Sequence, residues 1–360
     1  MSSGVSGYAA LNSRVRAMYS SLLSEQDMVR LSDAGDFQTL LSSLKSTVYG
    51  PYLENIKDGD ATPRRVISQL RGRLADAYYS VIHMAPGHAR PLLIQMYRYF
   101  EVGNLKAILR GIVTGPTSSS DITHWEQVSD MLFPMGDLSV LPGRAMVETG
   151  NVPAAIELLD GTRYEEALTF AMKRYSAEQN LFPLEVAVDL GYWRQLWREA
   201  KRLSGLDREI ATRIVGSLLD MNNLMWAIRY RVYHKLSEEE LINYTLPFGY
   251  RVSDGDVRSI AAGADISSIV SRLYPDITDV NALLEDPHSG LPLLEAQLSR
   301  HLIKQCLAAF LGNPFHIGIP LAFLLLTNYE IEDLTILLEA RSTNLPDEKF
   351  RPYLLRTEVA

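Results

Sequence analysis

Three short stretches of the chain place a carboxylate three residues ahead of an amide or a second carboxylate, each time with leucine next. They are "EVGNL" (Glu101–Leu105), "DMNNL" (Asp220–Leu224) and "EIEDL" (Glu330–Leu334). On a helix that spacing sets both polar groups on one face, one turn apart. As chemistry, the pair is a carboxylate base with a neighbour that orients it. Each pair is followed by an apolar helical stretch, "KAILRGI", "MWAIRYR" or "TILLEAR". Inside such a helix a polar pair must find its hydrogen bonds in its surroundings, which lets it hold the ends of neighbouring helices. An active site seldom occurs three times on one scaffold, whereas a structural device does. The recurrence therefore favours struts over catalysis.

Other candidate chemistry is sparse. The chain has no G-x-x-x-x-G-K-[ST], no G-x-G-x-x-G after a strand, no H-E-x-x-H and no G-x-S-x-G. Its seven histidines are scattered. His83 and His88, in "VIHMAPGHARP", flank a Pro-Gly turn with no Cys, Asp or Glu beside them, and read as loop or helix-end residues rather than metal ligands. The single cysteine, Cys306, leaves no intrachain disulfide and argues against a cysteine zinc site. Set in "RHLIKQCLAAFLG", it reads as a buried structural thiol, in keeping with a reducing, cytosolic compartment. No catalytic, cofactor-binding or metal-binding residue is assigned, and no interface residue.

The elements that must position the three pairs are helices. In "WRQLWREAKRLSGL", Trp193, Leu196, Trp197, Ala200 and Leu203 form one apolar stripe. "DREIATRIVGSLLDMNNLMWAIRYRVYHKL" continues with Ile210, Ile214, Leu218, Met221, Met225, Ile228 and Val232 at helical spacing. It predicts one helix of about thirty residues with Asp207 as N-cap, well beyond the usual length. Ser237-x-x-Glu240 and Thr162-x-x-Glu165 fit capping boxes, so Glu238–Glu240 read as first-turn acids favoured by the helix dipole. Breakers cluster at "TGPTSSSD" (114–121) and around 235–237. The fold expected is all-α.

The polar pairs recur at separations of 119 and 110 residues. A second pattern lies upstream of each: "GDFQTLLSSL" from Gly35, "GNVPAAIELL" from Gly150 and "ADISSIVSRL" from Ala264, separated by 115 and 114. "FPMG" (133–136) and "LPFG" (246–249) repeat once, 113 apart. Two patterns in one order at nearly one period imply three tandem helical repeats of about 115 residues. The breakers divide them into 1–116, 117–236 and 237–360. Such arrays are scaffolds whose surfaces bind partners, either in a line or around a pseudo-threefold axis.

With 360 residues, 47% hydrophobic and 22% charged, the composition is that of a globular protein. The opening "MSSGVSGYAALNSRVRAMYSSLL" lacks an uninterrupted apolar core and a cleavage-like site, so it does not read as a secretory signal. The most apolar run, "IGIPLAFLLL" (317–326), has ten residues and a proline, too short to span a bilayer. A net charge of −8 speaks against general nucleic-acid binding. The charge is uneven. Residues 64–110 carry eight Lys/Arg against two acids, whereas 237–290 carry ten acids against three arginines. Such asymmetry either orients docking to charged partners or marks solvated helix faces.

The sequence resembles one family, the C-type subunits of V/A-type rotary ATPases, whose counterpart in the eukaryotic V-ATPase is the d-type subunit. "YAALNSRVRAM" resembles that family's opening Tyr-…-Arg-x-Arg helix, and "FQTLLSSLKSTVYGPYL" its next element. "FEVGNLKAILRG" resembles its mid-helix Asp/Glu-x-x-Asn-Leu-Lys motif. "NPFHIGIPLAFLLLTNYEIEDLTILLEARSTNLPDEKFRPYL" resembles its last unit. The resemblance implies three similar helical domains arranged as a funnel with pseudo-threefold symmetry. It implies no catalysis, no cofactor, no nucleic acid and no direct membrane insertion. The partners implied are the central axle subunits (D and F type) and the membrane rotor ring of proteolipid subunits. The protein would be a cytoplasmic socket, peripheral on the inner face of the cell membrane through that complex, passing torque between axle and ring. The third repeat departs from the other two, with Asp333 in place of Asn, Pro314 and Pro320 ahead of its pair, and the apolar run 317–326. The alternative is a stand-alone helical-repeat adaptor that binds a protein or peptide in a groove.

Overall fold

The computed structural model describes residues 2–57, 59, 61–116, 123–234 and 237–356. Residues 117–122 and 235–236, which hold most of the two expected boundaries, lie outside the described residues. The described chain is all-helical, with no strand. Seven helices of eighteen residues or more are labelled here α1 (Ser2–Tyr19), α2 (Pro63–Met84), α3 (Arg90–Thr114), α4 (Phe182–Arg202), α5 (Gly205–Arg229), α6 (Pro287–Ala308) and α7 (Gly318–Ser342). The three polar pairs lie on α3, α5 and α7, each preceded by another long helix and, before that, by a run of short ones.

The second repeated pattern is a capped short helix in all three places. Asp36, Asn151 and Asp265 are extended N-caps whose side chains accept from the backbone N–H three residues on. Those N–H groups belong to Thr39 (2.8 Å), Ala154 (2.9 Å) and Ser268 (2.9 Å). The helices they open are Phe37–Lys45, Val152–Glu157 and Ile266–Leu273. A helix start leaves its first N–H groups without intrahelical partners, and these caps supply one each. Ser237 and Glu240 form the expected capping box, with three acids in the first turn. Thr162 and Glu165 do not. The helix Glu165–Glu178 starts after Tyr164, so Thr162 lies two residues too early; its hydroxyl accepts from the Tyr164 N–H instead. The helix expected to run from Asp207 is α-helical over α5 and then widens into a π-helix over Tyr230–His234. From that wider turn Arg231 donates to the carbonyls of Ile260, Gly263 and Ala264.

The chain forms two compact units, one of Met1–Pro91 with Glu199–Ala360, the other of Leu92–Arg198. In the first, α7 packs against α1, α2, α5 and α6, and eighteen of its twenty-five residues are buried. The apolar run 317–326 is therefore core, buried throughout. Pro320 falls in the first turn of α7, where its missing N–H costs nothing. In the second unit, α3 is tied to α4 by Gln95 Nε2 to the Tyr192 carbonyl (3.1 Å), Lys106 to Asp189 (2.8 Å) and Arg110 to Glu185 (2.6 Å). Trp193 and Leu196 are buried on the predicted stripe, with Trp197 partly so.

Replacing Asp36, Asn151 or Asp265 by alanine is predicted to lower unfolding stability by about 1 kcal/mol each, read by urea denaturation. A wild-type midpoint in all three variants would show that the caps do not contribute.

Candidate functional site

All six residues of the three pairs are buried, and all six are hydrogen-bonded. Each acid grips a non-helical point of the chain just ahead of a short helix. On α3, Glu101 Oε1 accepts from the Val140 N–H (2.6 Å), two residues before the cap of Gly143–Glu148. On α5, Asp220 accepts three successive N–H groups, from Tyr250 (2.8 Å), Arg251 (2.6 Å) and Val252 (3.0 Å). These lead into the capping box of Ser253 and Asp256. On α7, Glu330 Oε2 accepts from the Leu23 N–H (2.8 Å), immediately before the capping box of Ser24 and Asp27, and also pairs with Arg356. The expected strut is thus confirmed in kind and sharpened in detail. It orients the chain as it enters a helix, rather than linking two helix ends.

A tyrosine recurs at each socket. Tyr164 donates to Glu101 Oε2 (2.7 Å) and Tyr49 to Glu330 Oε1 (2.8 Å). Tyr274 lies near Asp220; burial first, then the Asp220 charge, pushes its hydroxyl above its usual range. These tyrosines are 115 and 110 residues apart, the same period again. Tyr49 and Tyr164 share a local device, each with its own N–H bonded to the hydroxyl of the threonine two residues before it. Periodicity could have found Tyr49 and Tyr164, since each lies 13 residues after the N-cap of the capped helix before it.

The second member of each pair explains the Asn-to-Asp departure. Asn104 accepts from the Phe133 N–H (2.7 Å) and donates to the Phe133 carbonyl (2.9 Å). Asn223 does the same with Leu246, at 2.9 Å and 3.0 Å. An amide carries both a donor and an acceptor and so matches one residue's N–H and C=O. Asp333 instead meets two consecutive N–H groups, of Leu355 (2.7 Å) and Arg356 (2.9 Å), which call for two acceptors. The "FPMG" and "LPFG" repeats are the segments these asparagines hold. In the second, a Cβ on Gly249 would sit 2.1 Å from Asp220 Oδ1, so only glycine lets the backbone come that close.

Burial raises the pKa of Asp220, Glu330 and Asp333, the last up to about 7, although backbone N–H groups act against the rise at all three. Burial also pushes the Cys306 thiol up to about 12, a poor state for a nucleophile. Asp207 is not the N-cap of α5; Ser204 takes that place. Its carboxylate accepts from Tyr8 (2.8 Å) and the Ile317 N–H (2.9 Å) and lies 3.2 Å from His88 Nε2. His88 therefore pairs with an acid 119 residues away. Among the described residues no group of three or more His, Cys, Asp or Glu side chains is placed to hold a metal ion, and no helix is long and apolar enough to cross a membrane. Within the basic segment, Arg73 donates to Ser21 and covers the Tyr49 ring at 5.0 Å, so it belongs to the Glu330 socket, while Arg64 and Arg65 are exposed.

The raised carboxylates fix a sign. A folded-state pKa above the unfolded value of about 3.9 favours the folded state below that value, and the advantage is lost as pH rises through the folded pKa. The contribution of these carboxylates to the unfolding free energy should therefore fall between about pH 4 and pH 7. Asp333→Asn should make that slope shallower. Asn104→Asp, which sets a carboxylate against the Phe133 carbonyl, should destabilise the chain by about 2–4 kcal/mol and steepen the slope. Denaturant titrations at four pH values measure this; identical slopes in all three chains would contradict it.

The family described as ATP synthase (C/AC39) subunit matches residues 11–353. Among curated proteins the chain is similar to three that are named as the C-type subunit of an A-type ATP synthase. That of Methanocaldococcus jannaschii is 23% identical over 97% of this chain and 86% of its own length. That of Methanobrevibacter smithii is 25% identical over 97% and 88%, and that of Methanococcoides burtonii 24% identical over 97% and 94%. The chain belongs to the ATP synthase (C/AC39) subunit family.

Proposed function

We propose that the protein is a non-catalytic central-stalk subunit of a V/A-type rotary ATPase, a socket that couples the axle subunits to the membrane rotor ring. The observation that carries this reading is the recurrence of one buried acid socket at three points of a chain in this family. A part that passes torque between two others needs stiff elements and a broad surface, not a perturbed nucleophile. Helices of 25 residues in α3, α5 and α7, each pinned near its middle by a buried polar pair, supply stiffness. Three tandem repeats, 1–116, 117–236 and 237–360, set around a pseudo-threefold axis as a funnel would present the same kind of surface three times. Such a protein would be cytoplasmic and peripheral on the inner face of the cell membrane, held there by the axle subunits of D and F type and the proteolipid ring. Exposed Arg64 and Arg65, at the start of α2, are candidates for orienting one of those contacts.

Affinity capture of the chain from solubilised membranes is predicted to recover axle and ring subunits. Arg64→Glu with Arg65→Glu is predicted to reduce recovery of one of them by about tenfold at low salt, with a smaller loss at high salt. Capture that yields neither axle nor ring protein would sink the reading; unaltered recovery in the double variant would remove only the basic contact.

A further inference from the structure

The three sockets differ in how their partners are joined. Glu101 and Asn104 grip residues 133–140, one short continuous stretch. Asp220 and Asn223 grip 246–252, again continuous. On α7 the corresponding stretch is split. Asp333 takes the N–H groups of Leu355 and Arg356, whereas Glu330 takes that of Leu23, 332 residues away from Leu355 in sequence. Arg356 bridges the gap, pairing with Glu330 and donating to the Leu23 carbonyl (3.0 Å). Further along, Arg351 pairs with Asp33 (2.6 Å), and Arg341 donates to the Ser32 carbonyl.

We infer that residues 345–356 form a strap that closes the Glu330/Asp333 socket from outside and opens as a unit with Leu23, while the other two sockets stay shut. In the continuous sockets a short loop keeps both gripped points at high local concentration, so one broken bond re-forms at once. At the split socket no local chain joins the two points. The ties between strap and Leu23–Asp33 are polar, and the Arg351–Asp33 pair is half-exposed. Opening also returns two buried carboxylates to water, which offsets part of the loss of their bonds. The geometry thus sets a seam in the larger unit at which a segment can leave without unwinding a long helix, by giving up these ties and the bonds that Arg300 of α6 donates to the Pro352 and Leu354 carbonyls. Phe350, Leu354 and Leu355, buried when the strap is closed, are the apolar surface it would release.

Amide hydrogen exchange on the full chain tests this, with protection factors compared at corresponding positions. The amides of Leu23, Leu355 and Arg356 should share one protection factor, at least about tenfold below those of Phe133, Val140, Leu246 and Val252. Arg356→Ala should lower the protection of Leu23 and Leu355 by about a further tenfold and leave the other four unchanged. Protection of Leu355 equal to that of Leu246 would overturn the inference, as would exchange of Leu23 independent of Leu355. A uniform loss across all sockets in the variant would overturn it too.

Discussion

A carboxylate taken out of water must be met by donors, or the fold pays for it in full. Everything else in this molecule is arranged around that constraint at Glu101, Asp220 and Glu330, all completely buried. Each acid sits in the middle of a 25-residue helix and draws in backbone N–H groups from a segment distant in sequence. Those segments then have no freedom in how they enter the next short helix. The caps that follow, the tyrosines that close the far side and the glycine at 249 are consequences of fitting a backbone against a buried charge. Side-chain length adjusts the details. The shorter Asp220 serves three N–H groups, while the two glutamates reach fewer N–H groups and add a tyrosine hydroxyl.

Much of this was legible in the residues. Helical periodicity marked the long helices, and the acid-x-x-Asn/Asp spacing marked the sockets because a helix turns those positions onto one face. The recurrence of "GDFQTLLSSL", "GNVPAAIELL" and "ADISSIVSRL" corresponds to three short helices, each opened by a capping Asp or Asn. What could not be read was partnership across distance. Asp207 looked like a cap because Ser204 gives no sign of its geometry, and the Asp207 carboxylate is used by Tyr8, His88 and Ile317 instead. Thr162 looked like a cap because a capping box is a local pattern, and the chain starts its helix two residues later. Arg73 looked like part of a basic surface because Tyr49 and Ser21, its partners, lie far from it in the chain.

The Asp333 departure shows why a repeat need not keep its residues to keep its role. Asparagine suits a single residue presenting both N–H and C=O, as Phe133 and Leu246 do. Aspartate suits two N–H groups in a row, as Leu355 and Arg356 present. The position follows its partner. The same reasoning accounts for the apolar run 317–326, which reads as surplus beside the first repeat but lies inside the most enclosed helix of the larger unit.

The central claim is that each of the three acids anchors the fold. Equilibrium unfolding of Glu101→Ala, Asp220→Ala and Glu330→Ala tests it most directly. Each variant should unfold at lower denaturant, by about 2 kcal/mol or more, with Asp220→Ala losing most because three backbone N–H groups are left without an acceptor. Wild-type stability in any of the three would contradict the account.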